Sequence, residues 1–311
     1  MIDERKKQYK SVTLRLGAAV LLQFTLMRVI GWNGNVIFHM LTGGIADEIT
    51  VGILDCFLYL ISFMIPVALF RLLSIGKRTE TMHLGVRMDG EGLLWLGAGI
   101  GLVTAMAFLG NMMFRYVDFS WVFVEDNVGG APQTVLSFIS TAVVPAVAEE
   151  FLYRGCVLSN LLPYGKTQAI FGSALLFALM HSNPLQFFYA FCAGLALGTV
   201  FAETGSIWPG MFIHLFNNFI STAEDVLTAN ADAYYTGLLL DLLETVFILG
   251  GIVCFLLLLW RKNGKIVSDT TEDRGRQGAS LSGFFSVTVI LFTVLCVLRA
   301  LLLLGEVIFY G

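Results

Sequence analysis

Apolar residues run through this chain in blocks of about twenty, the length an α-helix needs to cross a bilayer. The blocks fall at 13–31, 50–72, 92–114, 133–161, 166–182, 185–203, 207–222, 236–260 and 281–308. They are continuous rather than alternating, so they predict helices and not strands. The expected fold is all-α, a polytopic transmembrane bundle of about eight to nine spans. Arg15 and Arg28 lie near the two ends of the first block, where long side chains can snorkel. The block 207–222 is short and polar for a span, and makes sense only if other helices shield it.

Polar positions between the blocks set an orientation. Arg71, Lys77, Arg78 and Arg87 cluster after the second block, and Arg261, Lys262, Lys265, Arg274 and Arg276 after the eighth. The chain start is basic as well, with Arg5, Lys6, Lys7 and Lys10. The intervening loops 31–49 and 223–235 contain no Lys or Arg, and 115–131 contains only Arg115. This alternation follows the positive-inside rule and predicts a cytoplasmic N-terminus. The basic start is read as a retained first helix, without a convincing cleavage site. The expected location is the plasma membrane of a bacterium, with the site described below toward the cytoplasmic half. The chain divides into N-terminal helices (1–130), a central core (131–222) and C-terminal helices (223–311).

Composition agrees with this pattern. Of 311 residues 57% are hydrophobic and 14% charged, with a mean hydropathy of +0.78. A soluble chain carries about 25% charged residues. The net charge of −4 gives no nucleic-acid footprint. The partners expected are the lipid bilayer and a membrane-associated peptide or protein. Five cysteines fall in apolar stretches without CxxC spacing, as buried free thiols do.

Three segments break the apolar pattern with ionisable groups. The first is TAVVPAVAEEFLYRGCVL, residues 141–158, where Glu149 and Glu150 follow sixteen uncharged residues, 133–148. A charge at a helix centre costs about 2.5–3.5 kcal/mol or more. Arg154, four residues after Glu150, can pair with it on one helix face. Glu149 is left without such a partner. The second is FGSALLFALMHS, residues 171–182, with Phe177 and His181 one turn apart. The third is TGSIWPGMFIHLFNN, residues 204–218, with His214 and Asn218 one turn apart and Asn217 beside them. Counted along their helices at about 1.5 Å per residue, the three groups reach similar depths. They can therefore meet inside the membrane.

A glutamate beside two histidines can act as a general base on water. Asn218 can donate to a developing oxyanion. Arg154 would keep Glu150 ionised and oriented. The same His181, His214 and Glu149 could instead ligate zinc with a water, so a zinc cofactor is left open. The matching reaction is hydrolysis of an amide bond within or next to the membrane. HExxH, GxGD and GxSG are all absent, which disfavours three other designs of intramembrane protease.

The ordered set EExxxR, FxxxH and TGSIWPxxxxHxxxN resembles the CAAX-protease and bacteriocin-processing family of intramembrane endopeptidases, also called the Abi family. The resemblance covers roughly residues 130–222. It implies a membrane-embedded helical hydrolase related to CAAX prenyl protease 2, acting on a prenylated tail, a bacteriocin precursor or another pro-peptide. It implies Glu149 as the water-activating base with His181. His214 and Asn218 would support the oxyanion, and Glu150, Arg154 and Phe177 would orient the rest. Two other readings stay open: a non-catalytic immunity or scaffold protein on the same fold, and a proton-coupled transporter.

Overall fold

A polar backbone in hydrocarbon must satisfy its own N–H and C=O groups, and a helix does this within one segment. The computed structural model follows that rule throughout. It describes residues 2–43, 47–77, 79–80, 85, 89–116, 131–230, 233–264 and 281–310, with no strand among them. The helices are α1 (Ile2–Thr42), α2 (Glu48–Leu73) and α3 (Gly90–Tyr116). A composite rod, α4, covers residues 131–164. Then come α5 (Lys166–His181), α6 (Pro184–Thr204), α7 (Trp208–Asn230) and α8 (Ala233–Arg261). A single turn, Leu281–Phe284, precedes α9 (Val287–Tyr310).

Local chemistry sets the helix ends. The Asp47 carboxylate accepts the Thr50 amide at 2.7 Å and caps α2. Asp89 accepts the Gly92 amide at 2.8 Å at the start of α3. Gly165 (φ 143°) and Gly205 (φ 62°) make the turns into α5 and α7 with backbone angles that side chains resist.

Six helical stretches are long and apolar enough to cross a membrane: Glu4–Ile30, Ile49–Leu73, Gly90–Gly110, Gln133–Tyr164, Gln186–Thr204 and Tyr235–Arg261. Val287–Leu303 is a shorter apolar helix. The protein is a helical membrane bundle. The eight to nine spans expected from the sequence require two or all three of α5, α7 and α9 to cross as well. The expected loop 31–49 is helical as far as Thr42, and the expected loop 223–235 is helical as far as Asn230. Neither stretch contains a proline, so nothing in the backbone stops the preceding helix early. Residues 117–130 and 265–280 of the other two polar loops lie outside the described residues.

One hydrophobic core joins α1, α2, α4, α5 and α9 through Leu16, Phe63, Phe70, Leu152, Tyr153, Phe177 and Phe292. A second joins α3, α6, α7 and α8 through Trp95, Val103, Leu197, Val200, Ile213 and Leu258. Small residues bring some backbones into contact, as in other membrane bundles. A Cβ on Gly101 of α3 would come within 2.5 Å of the Gly251 Cα of α8. The outer faces of α8 and α9 expose Leu242, Val246, Leu249, Val253, Leu291, Val294 and Leu298, a surface made for lipid. The short polar helix α7 packs against α3, α4, α6 and α8, which supplies the shielding its sequence demanded.

Charged groups gather at one end. Lys166 pairs with Glu203, and Lys262 bridges Glu203 at 2.5 Å and Glu91 at 2.9 Å. At the same end Arg5 donates to the Pro163 carbonyl at 2.7 Å. Arg28 is exposed as expected, with its guanidinium over Phe24. Arg15 is not a snorkelling residue: it is 6% exposed and donates to Ser74 and to the Ser11 carbonyl. Ser74, at the end of α2, gives it a polar partner inside the bundle.

Candidate active site

The site begins with irregularities in α4. Pro145 has no N–H, so the Thr141 carbonyl, four residues earlier, loses its usual helical partner. The rod widens there into a π-helical stretch, Ile139–Val143. After the regular turn Val144–Glu150 it widens again over Phe151–Leu158. Such π insertions are frequent at functional sites. They bracket Glu149 and Glu150. The freed Thr141 carbonyl accepts Asn218 Nδ2 from α7 at 3.1 Å, so the proline that opens α4 also ties it to the helix carrying His214.

Glu150 is fully buried and forms the hub. Its Oε1 accepts Arg154 Nη1 at 2.8 Å and lies 3.1 Å from His214 Nδ1. Removing either charge would strand the other in a dry interior. The Arg154 guanidinium also covers the Phe177 ring at 4.5 Å and reaches the Gly194 carbonyl at 3.4 Å. Gly210 permits the approach of α7: a Cβ there would meet Glu150 Oε2 at 3.1 Å.

Glu149 is 4% exposed and faces a cavity of about 260 Å³. Tyr59 of α2 donates to its Oε1 at 2.5 Å. Oε2 has no hydrogen-bond partner among the described residues and lies 3.8 Å from His214 Nε2. That separation is too long for a direct hydrogen bond. It lets both atoms reach a third oxygen placed off their line.

Each imidazole has one nitrogen committed. His181 Nδ1 is 3.0 Å from the Phe177 carbonyl, which can only accept, so this nitrogen carries a proton and Nε2 is left free. His214 Nδ1 faces the Glu150 carboxylate, which leaves its Nε2 toward Glu149. Phe177 stands between the rings, 5.1 Å from His181 and 6.0 Å from His214. Ser182, directly after His181, adopts the left-handed region (φ 53°) and ends α5 there.

Glu149, His181, His214 and Asn218 all line the one cavity, with Phe177. Glu150 and Arg154 lie behind it. Asn217 lines it too, and its Nδ2 donates to Asn218 Oδ1 at 3.2 Å. Tyr59, Thr141, Gln186 and Tyr189 complete the wall and carry no signal in the sequence reading. Only Pro145, read as a break in α4, could have pointed to Thr141. His181 and the exposed Gln186 stand at the ends of α5 and α6 remote from Lys166 and Glu203. His181 is about 22 Å along α5 from Lys166. The cavity therefore extends away from the basic end.

Among the described residues no group of three or more His, Cys, Asp and Glu side chains is disposed to hold a metal ion.

Residues 131–220 match the family model described as Rce1-like, type II CAAX prenyl endopeptidase. This match falls on the segment whose motifs resemble the CAAX-protease and bacteriocin-processing family. Among curated proteins, CAAX prenyl protease 2 of Arabidopsis thaliana is 27% identical over 234 residues, covering 61% of this chain and 70% of the relative. No solved structure gives a significant match. The segment matched to the CAAX-protease family holds α4 to α7 up to residue 220, and with them every site residue above except Tyr59.

Proposed function

We propose that the protein is an intramembrane endopeptidase in which Glu149 activates water to hydrolyse a peptide bond of a membrane-associated substrate. The observation that carries this reading is the state of Glu149. It is a buried carboxylate at a cavity wall, with one oxygen held and the other turned toward His214 Nε2. The match of residues 131–220 to an endopeptidase family model supports the same chemistry.

In this mechanism Glu149 Oε2 takes a proton from water. The resulting hydroxide adds to the scissile carbonyl carbon, and the carbonyl oxygen becomes an oxyanion. Asn218 has spent one amide N–H on the Thr141 carbonyl and keeps a second for that oxyanion. His214 and His181 line the same cavity. When the C–N bond breaks, the proton on Glu149 passes to the leaving amine. Glu150 and Arg154 hold the His214 ring in place and do not touch the reacting atoms. Every step is carried by the chain's own residues.

The substrate is read as a lipid-anchored or membrane-inserted peptide. The name of the Arabidopsis relative points to prenylated tails. The family resemblance extends the reading to bacteriocin precursors and other pro-peptides. The Lys166–Glu203–Lys262 end is placed in the cytoplasm, with the N-terminus, on the basis of its basic loops.

The test is peptide cleavage by purified protein in liposomes, wild type against Glu149→Ala, each with and without a chelator. Cleavage that disappears in Glu149→Ala and survives the chelator is the expected result. Cleavage abolished by the chelator would overturn the metal-free mechanism, and cleavage retained by Glu149→Ala would overturn the role of Glu149.

A further inference from the structure

The residue that contacts Glu149 most closely comes from outside the segment shared with the CAAX-protease family. Tyr59 lies midway along α2, in the first third of the chain. Its hydroxyl donates to Glu149 Oε1 at 2.5 Å, and its ring lines the cavity. We propose that Tyr59 is a positioning residue for Glu149, fixing which carboxylate oxygen takes the proton from water. This rests on the reading of Glu149 as the base.

The geometry supports the role in three ways. First, a carboxylate at the end of three rotatable bonds can present either oxygen, and the Tyr59 hydroxyl occupies one. Oε2 is then the oxygen left to face His214 Nε2 at 3.8 Å. Second, the phenol is itself held. The ring stacks on Phe63, centroids 5.0 Å apart and planes at 26°, and Phe63 is fully buried in the core with Phe70. The hydroxyl position is thus set by the packing of α2 against α1 and α4. Third, no other side chain bonds to the Glu149 carboxylate: its second oxygen has no partner among the described residues. The two glutamates are oriented by different means. Glu150 is held from within the core segment by Arg154 and His214, and Glu149 from outside it by one phenol.

A hydrogen bond to the charged form of an acid favours that form. Losing a bond of that kind corresponds to about a 10- to 100-fold change in an equilibrium or rate. Tyr59→Phe keeps the ring and removes only the hydroxyl. The expected result is a kcat lower by about 10- to 100-fold with KM little changed, and an acid-side limb of the pH–rate profile moved to higher pH. The melting temperature in detergent should stay near that of wild type. Phe292→Leu, in the same core against Phe24, is the control for a packing role: it should lower the melting temperature and leave the pH limb in place.

A second readout needs no substrate. Dicyclohexylcarbodiimide reacts with protonated carboxyl groups in apolar surroundings, and its adduct on Glu149 can be counted by mass spectrometry. Tyr59→Phe should increase that adduct several-fold at neutral pH. If wild type cleaves no peptide, the proposed protease activity fails, and the adduct alone decides for or against Tyr59. Equal adduct yields in wild type and Tyr59→Phe, or an unshifted pH limb, would overturn the proposal. So would loss of the folded protein in Tyr59→Phe, which would make the hydroxyl structural.

Discussion

Two clusters of charge hold this bundle together, and they are built differently. One is Glu149, Glu150, Arg154 and His214 in the middle of the helices. The other is Lys166, Glu203, Lys262 and Glu91 at the basic end. In the first, Arg154 and Glu150 are about 1% and 0% exposed, and buried atoms such as Glu149 Oε2, Glu150 Oε2 and Arg154 Nε have no hydrogen-bond partner among the described residues. In the second, the lysines keep 21–22% exposure and every acid meets an ammonium. The peripheral cluster is satisfied and ties α3, α5, α6 and α8 together. The central one retains unspent polar capacity at a cavity, as expected where function opposes stability.

The difference predicts a hierarchy of mutational effects. Arg154→Met is the most damaging to the fold, because it leaves Glu150 buried and unpaired. A destabilisation of about 3–5 kcal/mol is expected, read as lost thermal stability in detergent. The double variant Glu150→Gln, Arg154→Met should recover most of that loss. If it does not, the pair is not the unit described here. Asn218→Ala comes next, with activity down about 10²–10³-fold if its second amide N–H meets the oxyanion. A loss under tenfold would leave it only the structural bond to Thr141.

At the basic end effects are smaller. Glu203→Gln should cost roughly 1 kcal/mol, because its partners remain partly in water. Burial opposes the Lys262 ammonium, but its hydrogen bonds with Glu203 and Glu91 outweigh that and raise it above its usual value. A raised ammonium stabilises the fold below its ordinary titration range and loses that contribution as pH climbs through the raised one. This end should therefore loosen at high pH and not in acid, which a melting series from pH 7 to 11 would reveal. The smallest perturbation is Gln186→Cys. Labelling by an impermeant thiol reagent from the face opposite Lys262 is expected, and labelling from the Lys262 face would reverse the direction assigned to the cavity.

Much of this arrangement was legible in the sequence. The apolar blocks are helical over nearly all of their described parts, with a break at residues 285–286 in the last, because twenty apolar residues in lipid have few alternatives. Glu150 and Arg154 pair as their spacing suggested, even inside a π-helical stretch. Phe177 with His181, and His214 with Asn218, share faces that meet at one cavity. Helix ends were less legible. The chain continues helically past residue 31 to Thr42, and past 222 to Asn230, because polarity alone does not stop a helix. Tyr59 gave no signal: it is one aromatic in an apolar run, and only the packing of α2 on α4 turns its hydroxyl to Glu149. The direction of the cavity along the bundle was less legible for a related reason. Loop charges orient the chain, but which end of α5 and α6 lines the cavity depends on tertiary packing.

The most direct test of the central claim is hydrolysis in H₂¹⁸O. Wild type and Glu149→Gln would be incubated in liposomes with a library of membrane-anchored peptides, and products read by mass spectrometry. The account predicts cleaved peptides carrying one ¹⁸O at the new carboxyl terminus with wild type and none with Glu149→Gln. Cleavage by Glu149→Gln at the wild-type rate would contradict it.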